Sequence, residues 1–285
     1  MIIAKNEGSI RRVLDKWGPF SSQIAFVPTM GALHAGHIEL IKAARSRAGL
    51  VVASIFVNPT QFNDPSDFAK YPKSIEQDIN MLEASGTDLL FLPDTGVIYP
   101  AGTGHLPHYP LGSLETVFEG AHRPGHFQGV CQVVHRLLEI VQPGQLFMGQ
   151  KDYQQCMVVA NLLEQTNLPV QLQIVPTIRE TSGLAMSSRN RRLNAAQLKI
   201  ATAIFETLQW MCKRAYEMPV HDLESAAKER LILAGFEQVD YASLADAKTL
   251  GPVLQPSSGQ SLVALIAATV GGVRLIDNMA VPLPA

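Results

Sequence analysis

The sequence predicts an α/β protein: a doubly wound parallel sheet, with a smaller α+β domain after it. Three observations carry that reading. Strand candidates recur at 24–27, 50–57, 87–93, 145–149 and 170–176, the first two as apolar runs that read as buried strands. Stretches with helical spacing of apolar residues separate them, and that alternation marks βαβ units. After about residue 177 the composition shifts, in TIRETSGLAMSSRNRRLN, to polar, glycine-marked and basic. We therefore place one domain at 1–177 and a second at 178–285.

Each element follows in order. Residues 9–17 read as a short amphipathic helix. Ile24–Val27 is the first strand, which Pro28 ends, and Gly31 supports a tight turn. In the helix after it, Ile38, Ile41, Ala44 and Ala48 share a face, with Lys42, Arg45 and Arg47 away from it. LVVASIFV (50–57) is a second buried strand that stops at Asn58-Pro59. TQFNDPSDFAKYP (60–72) is polar and proline-marked, hence a loop at a strand's carboxyl end, where open α/β sheets bind ligands. A helix through Ile75, Ile79 and Leu82 reaches Gly86, and TDLLFLP (87–93) is a third strand.

Residues 94–127 are rich in Gly, Pro and His; a connection this long is functional or hides short elements. Within EGAHRPGHFQG (119–129), Arg123 is a candidate site residue, and a solvated loop explains it equally. Val130, Val133, Val134, Leu137, Leu138 and Val141 define a helix. Gly149 ends the strand QLFMG, Gln150–Gln155 open a helix reaching about Asn167, and VQLQIVP (170–176) closes the unit. Right-handed crossovers would gather the loops at 28–37, 58–62 and 149–155 on one sheet edge. In the second domain Asn194 and Gln197 form a capping pair for a helix over 195–217. A helix at 222–234 and strands at 236–245, 261–270 and 274–278 complete it.

Composition excludes some classes of function. The 285 residues are 47 % hydrophobic and 17 % charged, a globular balance with ample material for a core. A net charge of −2 gives no bulk attraction to nucleic acid or to an anionic membrane, so neither partner is expected. No apolar run is long enough to span a bilayer, and MIIAKNEGSIRR has too short an apolar segment for a signal peptide. The three cysteines, Cys131, Cys156 and Cys212, lie far apart in apolar contexts and read as buried thiols of a cytoplasmic protein.

The densest chemical signal is IAFVPTMGALHAGHIELI (24–41): strand, glycine turn, helix, with His34 and His37 in the first helical turn. The first N–H groups of a helix lack internal partners and sit at the positive end of its dipole, so they attract phosphate. Residues three apart share a face, so both imidazoles can address one anion, and Gly36 permits close approach. A Walker A loop is ruled out, because His37 and Ile38 stand where Lys and Ser/Thr are required. A dinucleotide loop would need G-x-G-x-x-G, which this turn lacks. Zinc stays open, although there is no H-E-x-x-H and no evident third ligand, and so do two incidental histidines.

Other candidates are weaker alone. The hydroxyls of Ser187 and Ser188 and the guanidinium of Arg189 suit polyphosphate oxygens, or form an exposed lead-in to a helix. Lys151, after Gly149, can place a compact charge on phosphate or be an ordinary surface lysine. The amides of Gln61 and Gln155 suit a small ligand bearing a carboxylate and hydroxyls, or are surface glutamines.

Read together, these strings resemble a known family. H-x-G-H after a first strand resembles the HIGH signature of the Rossmann-like adenylyl-transferring superfamily that includes class I aminoacyl-tRNA synthetases. VPTMGALHAGH (27–37), SIFVNPTQF, Tyr71-Pro72, RPGHFQGV, GQKDYQQ, GLAMSSRN and RLIDN resemble the pantothenate synthetase family in order and spacing over nearly the whole chain. SSRN stands where the superfamily has its KMSKS-type signature. Ala35 and Gln150 depart from the pattern, since the family commonly has acidic residues there, which puts those acidic contacts and any metal role for them in doubt.

The resemblance implies a reaction in which ATP, (R)-pantoate and β-alanine give pantothenate, AMP and pyrophosphate through pantoyl adenylate. It implies Mg²⁺ arriving with ATP, no protein metal ligand that can be named, and a homodimer. ATP contacts carried over are Met30, Gly31, Ala32, Leu33, His34, Ala35, Gly36 and His37, then Gly149, Gln150, Lys151 and Asp152, then Ile178, Met186, Ser187, Ser188 and Arg189. His34, His37, Lys151 and Arg189 are the implied catalytic set, with His37 as proton donor. Gln61 and Gln155 would grip pantoate, Met30 pack on its methyls, Gln61 also serve β-alanine, and the 181–190 loop close over ATP. The rivals are another nucleotidyl transferase of the superfamily, a non-catalytic nucleotide-binding module and a zinc hydrolase.

Overall fold

The strand β3 (Leu50–Ile55) is buried at every position, as its unbroken apolar run requires of a strand inside a parallel sheet. The computed structural model of the chain describes residues 1–62, 68–69, 71–72, 74–257 and 259–284; part of the loop expected at 60–72 lies outside them. The described strands β1 (Ile2–Ala4), β2 (Ser21–Thr29), β3, β4 (Leu89–Phe91), β5 (Pro143–Gly149) and β6 (Gln171–Val175) form one sheet in the order β1-β4-β3-β2-β5-β6. Every pairing is parallel. From β2 the chain winds one way through β3 and β4, then returns to the other side of β2 with β5 and β6. The β2/β5 junction is therefore the topological switch point, where the loops leaving adjacent strand ends diverge and open a crevice.

The first of two compact units comprises Met1–Gly149 and Gln155–Pro176. One face of its sheet packs Val27, Val51, Ala53, Leu90 and Phe147 against Leu40, Ile41 and Ala44 of the Ala35–Arg45 helix and Leu82 of the Ile75–Ala84 helix. The Asn6 side chain caps the Glu7–Leu14 helix, accepting the Ser9 N–H at 2.9 Å, and Ile10 and Leu14 are buried. The 94–127 stretch holds short helices, Thr95–Ile98 and Phe118–His122, before the long His126–Val141 helix.

The second unit comprises Gln150–Gln154 and Thr177–Ala285. Its antiparallel sheet runs β7 (Gln238–Asp246), β8 (Leu262–Val270), β9 (Val273–Val281). Leu208 and Met211 of the Ala203–Arg214 helix and Leu223 and Leu231 of the Val220–Ala234 helix share a core with Ala264 and Ile266 of β8. Residues 150–154, assigned to the first domain on sequence grounds, cluster here. Tyr153 donates its hydroxyl proton to the Ala247 carbonyl at 2.7 Å, and Asn278 donates to the carbonyls of Gln150 and Lys151, both at 2.9 Å.

Three local expectations change. Pro28 does not end its strand: β2 runs on to Thr29, pairing Pro28 with Ser54 of β3. Pairing with β5 stops at Phe26↔Leu146, so the missing proline N–H falls where β2 has a neighbour on one side only. The helix expected over 195–217 is two, Ala195–Ala201 and Ala203–Arg214, with the Thr202 hydroxyl bonded to the Lys199 carbonyl at 2.7 Å at the break. β1 was not expected at all. Among the described residues no helix is long and apolar enough to cross a membrane.

Candidate functional site

In the first unit the site begins where β2 ends. Thr29 donates its hydroxyl proton to the Ser54 carbonyl at 2.7 Å and accepts the Gly31 N–H at 3.2 Å. Gly31 stands at φ +80°, and a Cβ there would lie 3.0 Å from the Asp78 carboxylate and 3.1 Å from Ile55. That approach has a purpose. Asp78 is buried, accepts the N–H groups of Ala32 and Leu33 at 2.9 Å each, and is held by the Ser74 hydroxyl at 3.1 Å. The clamp holds Ala32 at φ +50°, a left-handed conformation unusual without glycine, and so sets the entry into the helix.

His34 is the N-cap of that helix, and its Nδ1 accepts the Gly36 N–H at 3.2 Å. The His37 Nδ1 in turn accepts the His34 N–H at 3.3 Å, closing a reciprocal capping box. The ring centroids are 4.1 Å apart. A nitrogen that accepts a hydrogen bond carries no proton, so each ring carries its proton on Nε2. The chain thus presents two imidazole Nε2–H donors side by side at a helix N-terminus, a place that already favours anions.

One residue past the end of β2, Met30 accepts at its sulfur from Nε2 of the buried Gln61 at 2.9 Å, which brings together two residues predicted to contact one ligand. The Gln61 Oε1 accepts from Asn58 Nδ2 at 3.2 Å, and Asn58 also donates to the Gly129 carbonyl at 3.0 Å and accepts the Tyr99 hydroxyl at 2.8 Å. Burial pushes the Tyr99 phenol above its usual value, with bonds to Thr60 and Asn58 opposing, so it stays a donor. A Cβ on Gly129 would sit 2.4 Å from the Thr60 carbonyl oxygen, which is why the Pro59–Gln61 turn can lie directly on this helix. His126 donates from Nδ1 to the Gln61 carbonyl at 2.8 Å, and its Nε2 accepts from Arg123 at 3.2 Å. Gln155 is half-buried in the first turn of the Tyr153–Thr166 helix that follows β5.

In the second unit a recess is lined by Lys151, Ser187, Arg189, Asn190, Arg274 and Asp277, so three predicted phosphate contacts share one cavity. Lys151 lies in the Gln150–Asp152 turn, its ammonium 3.5 Å from the Asp152 carboxylate. Ile178 accepts the Met186 N–H at 2.9 Å, and Arg179 bridges to Ala185, forming a narrow hairpin. Ser187 then caps the Ser188–Arg192 turn, accepting the Arg189 N–H at 3.3 Å, and Arg189 is exposed. Arg274 holds the Asp240 carboxylate at 2.6 Å. Burial pushes the Asp277 carboxyl up, opposed by the Arg179 guanidinium bonded to it. Cationic groups with adjoining hydroxyls suit polyphosphate oxygens. Among the described residues no group of three or more His, Cys, Asp or Glu is placed to hold a metal ion.

Sequence reasoning missed several of these groups. Asp78 left a signal, since it sits three residues after Ile75 and four before Leu82, a carboxylate within an apolar stripe. Asp277 and Asn278 are consecutive polar residues inside a strand, both buried, another pattern that apolar context makes visible. Asn58, Thr60 and Tyr99 carry no such mark, because their contacts join distant parts of the chain.

The pantoate–beta-alanine ligase family profile matches residues 2–280. The pantothenate synthetase of Cytophaga hutchinsonii is 44 % identical over 262 residues, 91 % of this chain and 92 % of that protein. That of Aeromonas hydrophila subsp. hydrophila is 40 % identical over 285 residues, 99 % of each. The crystal structure of pantothenate synthetase from Thermus thermophilus superposes with a TM-score of 0.91 at 38 % identity, covering both chains fully. The pantoate–beta-alanine ligase of Francisella tularensis, complexed with beta-gamma ATP and beta-alanine, gives 0.81 at 36 % identity over 98 % of this chain and 97 % of that one. The profile across nearly the whole length, with relatives this similar end to end, shows that the chain belongs to the pantoate–beta-alanine ligase family.

Proposed function

We propose that this chain condenses (R)-pantoate with β-alanine at the expense of ATP, releasing AMP and pyrophosphate. The observation that carries the reading is the histidine pair: two Nε2–H donors, their Nδ1 atoms tied to the backbone, at a helix N-terminus beside the sheet's switch point. Donors held before substrate arrives need no reorganisation when charge develops on a phosphate, and that is where such groups gain most.

The pantoate carboxylate attacks the α-phosphorus in line, and pyrophosphate leaves. The amine of β-alanine then attacks the activated carbonyl and expels AMP. His34 and His37 hold phosphate oxygens, His37 donating to the charge that develops in the first step. Lys151, Ser187, Ser188 and Arg189 bind the phosphate chain and the leaving pyrophosphate, with Gly31, Ala32, Leu33, Ala35, Gly36, Gly149, Gln150, Asp152, Ile178 and Met186 as further ATP contacts. Gln61, with both ends of its amide engaged, and Gln155 orient pantoate, and Met30 packs on its methyls; Gln61 also meets β-alanine. Mg²⁺ enters as part of the MgATP substrate, neutralising phosphate charge and keeping most of its waters. The loop at 181–190 shields the adenylate from water. A homodimer is carried over from the family resemblance, and a cytoplasmic setting from the three scattered cysteines.

Incubation with MgATP, pantoate and β-alanine, omitting each in turn, tests the reading. AMP and pantothenate should form only in the complete mixture, and pyrophosphate in one burst without β-alanine. Transfer of a nucleotidyl group to a phosphorylated acceptor, with no amide product, would replace the reading with a different transferase.

A further inference from the structure

The turn that carries Lys151 takes its shape from one side chain. Asn278 is 2 % exposed, and its two amide protons go to the carbonyls of Gln150 and Lys151, each at 2.9 Å. Its Oδ1 accepts from Gln150 Nε2 at 3.2 Å, so this amide commits both its donors and its acceptor to a single turn. Asn278 is itself held by its neighbour, donating its backbone N–H to Asp277 Oδ1 at 2.8 Å.

Asp277 leads to the second set of phosphate candidates. Its buried carboxylate receives Arg179 through two nitrogens, at 2.5 and 3.1 Å, a two-pronged geometry that fixes orientation as well as distance. The same guanidinium donates to the Gly183 carbonyl at 3.0 Å and to the Asn278 carbonyl at 3.3 Å, and lies 4.5 Å from the Phe205 ring centre. Gly183 opens the 183–190 loop that ends in Ser187, Ser188 and Arg189. This partly buried ion pair therefore touches the base of the 183–190 loop directly, at Gly183, and reaches the Lys151 turn through Asn278.

We propose that Arg179, Asp277 and Asn278 are positioning residues of the ligase reaction, a relay that holds the Lys151 turn and the Ser187–Arg189 loop in one frame. They touch no substrate; they set where the ammonium and hydroxyls stand before ATP arrives. The inference rests on the reading of Lys151, Ser187 and Arg189 as phosphate contacts. Asn278 is the cleanest place to break the relay, since its loss leaves the Arg179–Asp277 pair intact.

The test is a double-mutant cycle on the full chain, following AMP formation at saturating ATP and β-alanine while pantoate is varied. Asn278→Asp keeps the shape but turns an acceptor toward two carbonyls. It should lower kcat roughly 10- to 100-fold, the scale of a misplaced catalytic group, with the pantoate KM unchanged. In a Lys151→Ala background the same change should cost about twofold or less, because its effect runs through Lys151. Equal losses in both backgrounds, or a pantoate KM that rises with the fall in kcat, would overturn the relay. If Asn278→Asp does not fold, Asn278→Ala, which buries no carboxylate, carries the same cycle. Loss of folding in both variants overturns it too, since the role would be structural. An unmutated chain that makes no AMP would instead remove the functional reading beneath.

Discussion

At the scale of single residues, the proposed chemistry turns on which nitrogen of each histidine ring is left to donate. His34 and His37 each spend Nδ1 on a backbone N–H, and this makes a donor of Nε2. Replacing His37 by Ala should lower the rate of pyrophosphate formation roughly 10²-fold or more, the scale for losing one donor to a developing charge. Rapid-quench measurement of that step checks it, and an unchanged rate would take the role away. Asp78 matters for a different reason. Its two oxygens serve two N–H groups, so Asp78→Asn turns an amide N–H₂ against one of them. The unmatched buried donor should cost about 1–3 kcal/mol, read from the urea midpoint, and slow turnover through the displaced histidine turn. A third residue gives a pH dependence. Burial, with the Glu115 charge adding, pushes the Cys131 thiol up to about 12. The folded chain then holds this proton more tightly than the unfolded one does. The stabilisation is complete below the ordinary thiol value of 9.0 and is lost as pH climbs toward 12. Urea midpoints should hold level up to about pH 8.5 and fall beyond it, and Cys131→Ala should flatten that fall.

At the scale of elements, the site depends on how closely one segment lies on another. The Pro59–Gln61 turn rests on Gly129, where a Cβ would be 2.4 Å from the Thr60 carbonyl and 2.8 Å from the Gln61 Cα. Gly129→Ala must therefore push the turn outward and spoil the Gln61–Met30 contact. Steady-state kinetics should show the pantoate KM rising several-fold more than the ATP KM; equal changes would argue against this placement of pantoate. The elements themselves were largely legible. Strands buried on both faces write continuous apolar runs, and the 24–27, 50–57 and 145–149 runs each lie inside an observed strand or extend just past it. The Asn194–Gln197 capping box was visible as a local pair and is present, with both bonds at 2.9 Å. β1 escaped because it is three residues long and two of them are exposed, so neither periodicity nor burial leaves a trace. Pro28 misled because a proline is read as a strand's end unless its neighbours are known, and only the sheet order reveals its one-sided pairing.

At the scale of the whole molecule, the parallel alternation and the ordered strings from VPTMGALHAGH to RLIDN were enough to state fold and family from the residues. The supporting shell was not legible, because it joins positions far apart in the chain. Asn278 and Lys151 are 127 residues apart, and Asp78 and Ala32 are 46 apart. A single sequence carries no mark of such pairings, whereas a histidine motif is local. The central claim is that one carboxylate oxygen of pantoate becomes bonded to the α-phosphorus. Pantoate labelled with ¹⁸O in both carboxylate oxygens tests it most directly, with mass analysis of the products. One ¹⁸O is expected in AMP, one retained in the new amide and none in pyrophosphate. Label in pyrophosphate, or unlabelled AMP beside labelled pantothenate, would contradict it.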